Sequence, residues 1–221
     1  QLGATSQSFC KQCPKGFYSS FEGATSVNQC IPCPAGTFST TSGASSNSTC
    51  IQCPAGTYST TIGASSSLFC ISCPAGSYSS HYGANSIATC VKCDPGKYST
   101  VSGATNEFVC TSCPPGTYST SPTTCTACPA GTSSSQFGAS SNSTCVLCSA
   151  GTIAPTLGSS SCIACAAGSY TRQQGATSCS LCGIGTFSTF IGAIDIDACQ
   201  KCPTGFYNNL LGQSVKKMVV K

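Results

Sequence analysis

Tryptophan is absent from this sequence, methionine and histidine occur once each, and charged residues make up only 6% of its 221 positions. Bulky aliphatic residues are thinly spread as well. A chain so poor in large apolar side chains cannot bury one sizeable core, although it is long enough for one or two ordinary domains. The scarce charge, a net +4, excludes the basic surface of a nucleic-acid binder. No nucleophile–base pair and no acid pair stands in a supporting motif, so the expectation is a protein that is not an enzyme and takes no cofactor. No run approaches the roughly 18 apolar residues of a membrane helix. Membrane attachment is therefore expected only through regions outside this chain. The sequence does not open on methionine, and no signal-peptide pattern is expected within it. The opening "QLGATSQSFC" matches the tail of the next repeat, "FEGATSVNQC", so the chain is expected to begin inside a repeat of a longer protein.

What the sequence has in excess is cysteine, 22 residues, with serine and threonine at about three residues in ten. That cysteine share points to an oxidising, extracellular setting. The cysteines fall into eleven Cys-x-x-Cys units, the first at Cys10 and the last at Cys199. The first five steps between units are 20 residues each; the later ones are 15, 20, 17, 17 and 20. Three residues after each unit comes a glycine, from Gly16 and Gly36 to Gly205. Two residues further stands an aromatic ring in nine repeats, Ser133 and Ile153 being the exceptions. A second glycine follows ten residues after the unit in every repeat but "CPPGTYSTSPTTC". Internal repetition on this scale is the mark of a stacked array, in which each repeat leans on its neighbours.

Local chemistry gives each repeat a shape. Cys-Pro-Ala-Gly reads as a turn, with Pro second and Gly fourth. Thr-Tyr-Ser-Thr favours a short extended segment. Gly-Ala reverses the chain, and the serine-rich stretch returns it to the next cysteine. Helix is not expected, with two glycines and many β-branched or serine residues per repeat. The fold class is therefore small disulfide-rich repeats, an elongated solenoid-like rod of short β-hairpins and irregular loops without a large hydrophobic core.

Three chemistries use Cys-x-x-Cys. Zinc ribbons share the spacing, but their units come in unlike pairs, and these eleven look alike. Redox catalysis needs one reactive pair in a helix-containing setting. Structural disulfides fit best. The expected pairing joins the second cysteine of one unit to the first of the next: Cys13–Cys30, Cys33–Cys50, Cys53–Cys70, Cys73–Cys90, Cys93–Cys110, Cys113–Cys125, Cys128–Cys145, Cys148–Cys162, Cys165–Cys179 and Cys182–Cys199. Cys10 and Cys202 are then left to partners outside the chain. Pairing across two neighbouring units is the alternative, and spacing alone leaves it open. Closing a loop of about 15 residues is worth about 3 kcal/mol.

The pattern in "CPAGTYSTTIGASSSLFCISC", Cys-Pro-x-Gly-x-Tyr-Ser, then Gly-Ala, then Cys-x-x-Cys, resembles the ephrin-receptor-like cysteine-rich repeat over residues 3–212. It also looks like the first half of a tumour-necrosis-factor-receptor cysteine-rich module, although the second, differently bridged half is missing. In such modules the cysteine before proline bonds to the next one downstream, which agrees with the pairing above. The resemblance implies an elongated extracellular rod of the kind found in large surface and secreted proteins of single-celled eukaryotes. It does not imply kinase activity, for which the sequence has no motif.

Other residues are candidates for smaller roles. Asn47 and Asn142 head N-glycosylation sequons, each just before a cysteine. A serine/threonine face including Ser59, Thr60 and Thr61 is a candidate for O-glycans. The repeated rings are expected to pack over their own disulfides rather than form a binding ladder. His81 reads as an exposed loop residue. Asp195 and Asp197 make a weak calcium candidate. Lys216, Lys217 and Lys221 lie in a tail that departs from the repeat. The expected organisation is a repeat tail at 1–13, five regular repeats at 13–113, four of variable length at 113–182, a regular one at 182–202, and an incomplete repeat with a divergent tail at 203–221. The expected function is structural: part of an extracellular or cell-surface glycoprotein fibre, coat or appendage. Its partners would be copies of itself, neighbouring repeats and glycans. A receptor stalk or adhesin binding a protein or carbohydrate is the alternative, with 113–182 the place to look for its site.

Overall fold

The computed structural model describes residues 10–214. Gln1 to Phe9 and the tail with Lys216, Lys217 and Lys221 lie outside the described residues. The chain forms two compact units. One takes the residues up to Asp94 together with Ser99–Thr111; the other takes Pro95–Tyr98 and the residues from Ser112 on. Both are built from small β-hairpin repeats. Every sheet is two-stranded, none closes, and the described residues contain no α-helix.

The loop from Cys33 shows how a repeat folds. A β-turn occupies residues 34–37, with the Thr37 N–H donating to the Pro34 carbonyl (3.1 Å). The Thr37 hydroxyl donates to the same oxygen (2.7 Å). Gly36 has φ 84°, the third place of a type II turn, which other residues enter only at a cost. The turn therefore sits one residue later than the sequence suggested: proline opens it, and glycine is third. The chain then runs into the strand Thr37–Phe38, which pairs antiparallel with Ile51–Gln52. The two residues between the cysteines of a Cys-x-x-Cys unit are thus themselves a strand. Between the strands the chain reverses at Gly43 and passes through a 3₁₀ turn, Asn47–Thr49, capped by the Ser46 side chain.

Stacking in the first unit is carried by backbone bonds between repeats. Gly16 N–H donates to the Ser39 carbonyl (2.9 Å), Ser19 N–H to Ala44 (2.9 Å), and Gly43 N–H back to Cys13 (2.8 Å). The repeats that begin at Cys13, Cys33 and Cys53 also meet the next but one. A Cβ on Gly16 would fall inside the carbonyl oxygen of Gly63, so this position is fixed by close approach as well as by φ. The second unit uses the same frame: Gly116 N–H donates to Ser134 (2.7 Å), Ser119 to Ala139 (2.9 Å) and Gly138 to Cys113 (2.8 Å), while Gly116 packs on the Gly158 carbonyl.

What this frame encloses is small. Cys33, Cys53, Cys113, Cys128, Ala139, Ser39 and Ser59 are fully buried, whereas Ile51, Ile71 and Leu147 are exposed. Sulfur, methyl and hydroxymethyl groups make the interior because the repeats approach too closely for anything larger.

Candidate functional site

Ten disulfides join the second cysteine of one unit to the first of the next, from Cys13–Cys30 to Cys182–Cys199. Seven span 17 residues, Cys113–Cys125 spans 12, and Cys148–Cys162 and Cys165–Cys179 span 14. The bridges are asymmetric in their surroundings: Cys33 is fully buried, and its partner Cys50 reaches the surface. The buried half sits at the start of the turn, where its carbonyl receives the glycine N–H of the following repeat, as Cys33 does from Gly63 (2.8 Å). Cys10 and Cys202 are unbonded, the first exposed and the second half-buried. Among the described residues no three His, Cys, Asp or Glu side chains gather as a metal site.

The two sequons sit in identical hexapeptides, Ser-Ser-Asn-Ser-Thr-Cys, at 45–50 and 140–145. Asn47 and Asn142 are both exposed and both open a 3₁₀ turn. In each, the serine before the turn accepts the N–H two residues on, and the sequon threonine donates its hydroxyl to that serine's carbonyl (3.0 Å for Thr49, 2.9 Å for Thr144).

Ser59 does not belong to the exposed hydroxyl face. It is fully buried between repeats, and its Oγ accepts the Thr61 N–H (3.3 Å). Thr60 is exposed and Thr61 half-buried. The same small residue recurs right after the ring, as Ser39, Ser79, Ser119, Ser134 and, with a methyl alone, Ala154. Composition hides this role, since serine is common everywhere; the signal is that nothing larger than threonine stands there in any repeat before Asn208.

Most of the rings are half-buried, Phe38, Tyr58, Tyr118 and Tyr170 among them, while Tyr207 is 64% exposed. Across the hairpin from them Ile31, Ile51, Ile71 and Val91 form a recurring exposed aliphatic position in the first unit. His81 is exposed, its backbone N–H bonded to Ser79 Oγ (3.4 Å). Asp195 serves the chain itself: its Oδ1 caps the 3₁₀ turn Ile196–Ala198 through the Asp197 N–H (3.1 Å) and pairs with Arg172 of the preceding repeat. The Arg172 hydrogen bond, helped by the Asp197 N–H, holds the Asp195 carboxyl below the usual carboxylate range.

In the second unit two repeats lack the ring, and at one of them the surface opens. Ser133 stands where Phe38 stands in the 33–50 loop, and the following loop, Cys148–Cys162, is shortened. A groove of about 600 Å³ opens there, walled by Ser133, Ser134, Ser143, Thr144, Ser160 and Ser161. It falls inside the 113–182 region singled out by its irregular repeat lengths.

Hairpins held by head-to-tail disulfides, with a buried sulfur per repeat and no larger core, define a cysteine-rich repeat module. The family model described as tyrosine-protein kinase ephrin type A/B receptor-like matches residues 26–68, 44–90, 137–182 and 151–199. Together these cover more than half of the chain, which belongs to that ephrin-receptor-like family. All the matched residues are cysteine-rich repeat. No curated protein matches the sequence. No helix among the described residues is long and apolar enough to cross a membrane.

Proposed function

We propose that this chain is a structural segment of an extracellular glycoprotein fibre, surface coat or appendage, built from disulfide-linked repeats. The observation that carries this reading is the repeated backbone ladder. Within each unit repeats bond to their successors through the same backbone groups, and several also meet the repeat after that. Exposed Asn47 and Asn142 support N-glycans, and the recurring Ile51, Ile71 and Val91 support lateral contact between copies. The second reading, a receptor stalk or adhesin, draws on the groove at Ser133.

Electron microscopy of the native material, with intact mass before and after reduction, tests the proposal. Continuous fibres or a coat, bridged cysteines and sugar mass are the expected results. A globular monomer with free thiols sinks it.

A further inference from the structure

The groove beside the Cys128–Cys145 loop has a defined cause and a defined chemistry. The missing ring at Ser133 and the shortened neighbour, whose bridge spans 14 residues instead of 17, leave the space open. Its walls carry hydroxyls and the Gln136 amide, with no charged side chain. Ser135, Ser160 and Ser161 are exposed, and their hydroxyls bond to no other group within the described residues. Val146 and the Cys162 sulfur supply an apolar strip, with Ser133 Oγ 3.2 Å from that sulfur. Exposed hydroxyls, an amide and a small apolar strip suit a neutral saccharide, which offers hydroxyls at its edge and C–H groups on its face. The volume lies within the roughly 300–1,000 Å³ of small-molecule sites.

Ser143 and Thr144, the second and third residues of a sequon, are part of the groove wall, and exposed Asn142 directly precedes them. A sugar attached to Asn142 therefore starts one residue along the chain from two wall residues. Tethering through so short a link raises its local concentration to about the millimolar range, enough for weak hydroxyl contacts to hold it. We propose that the innermost sugars of an N-glycan on Asn142 lie in this groove, so that this glycan is seated on the protein while the one on Asn47 projects freely. The proposal rests on the glycoprotein reading above. Asn47 is its internal control, with the same hexapeptide, cap and threonine bond, but with Phe38 in place of Ser133 and a full-length neighbour, Cys53–Cys70.

The test is site-resolved mass spectrometry of the folded, secreted protein during treatment with a glycan-releasing amidase. Release from Asn142 is expected about tenfold slower than from Asn47, with the two rates equal once the protein is reduced and denatured. Ser133→Phe installs the ring of the regular repeats and should bring the Asn142 rate up to that of Asn47. Ser160→Ala with Ser161→Ala keeps the space and removes hydroxyls; it too should speed release, whereas plain crowding would leave the lag unchanged. Equal release in the folded protein overturns the proposal, as does a lag indifferent to either variant. If both asparagines are bare, the glycoprotein reading fails with it; if both carry sugar and release together, the groove assignment alone fails.

Discussion

The seven loops whose bridges span 17 residues and the three shorter ones differ in a single segment. Each of the seven carries a 3₁₀ turn just before its closing cysteine; Cys113–Cys125, Cys148–Cys162 and Cys165–Cys179 carry none. The turns contain no buried residue, so their loss removes nothing from the interior. Around them the frame is unchanged: Gly151 N–H still meets Thr171 (2.8 Å), and Gly192 N–H still meets Cys165 (2.7 Å). The shortest loop goes further. It drops the second glycine and turns at Pro122 and Thr123, pairing Thr117–Ser121 with Thr124–Ala127. Apart from Cys113–Cys125, each bridged repeat is thus a fixed part, from the buried cysteine to the small residue after the second glycine, followed by a part free to change length.

Breaking the fixed part should cost most, and equally in both kinds of loop. Gly36→Ala and Gly116→Ala put a methyl into a neighbouring carbonyl at positive φ and should each lose about 3–5 kcal/mol. Gly185 shares the positive φ but has nothing within 4 Å, so Gly185→Ala should lose only about 1–2 kcal/mol. Native-state amide exchange at the inter-repeat bonds reads these losses; a mild Gly116→Ala would show that short repeats do not share the frame.

Paired cysteine-to-serine changes come next. Removing Cys33–Cys50 or Cys113–Cys125 should each cost about 3 kcal/mol, and loop length should separate them by less than about 0.5 kcal/mol. Denaturant titration with repeat-resolved exchange measures both. A large gap would mean that the short hairpin holds itself together without its bridge. Ser46→Ala removes a cap that the short loops never had and should cost about 1 kcal/mol, seen as faster exchange at Ser48 and Cys50 with neighbouring repeats unaffected.

The smallest effect concerns acid. Most of the capped 3₁₀ turns use a serine hydroxyl, but the 182–199 loop uses the Asp195 carboxylate. Because Arg172 lowers the folded pKa of Asp195, its contribution is present above the unfolded value near about 4 and lost as pH falls through the folded one. The side chains are exposed and the pair is screened, so the effect should be slight. An NMR titration should find the Asp195 pKa low, and Arg172→Gln should raise it. Acid should loosen this loop and leave the 128–145 loop, capped by Ser141, unchanged.

The repeat step, the turn glycines, the hairpin character and the family were legible in the sequence because they rest on neighbours along the chain. Gly36 announces a turn wherever the rest of the molecule lies. Ser59 could not be placed, because its burial depends on the repeats on either side, which it meets at Gly36 and Ala84. The strand made by Ile51 and Gln52 was hidden for a related reason: two residues are too few to show alternation. The 3₁₀ turns went unread since their serines and threonines also suit loops. Ser133 was visible as a missing ring, but the groove also needed the neighbouring loop to be short.

The placement of the bridges decides how the chain carries load. Tension entering at Cys30 passes through Ile31 and Pro32 to Cys33 and then crosses sulfur to Cys50, bypassing the sixteen residues between the bridged cysteines. Those residues are slack held in reserve behind a covalent shortcut. Pulling on the array stretches a short, taut thread of strands and sulfurs, and the stored length is let out only where a reductant cuts a bridge.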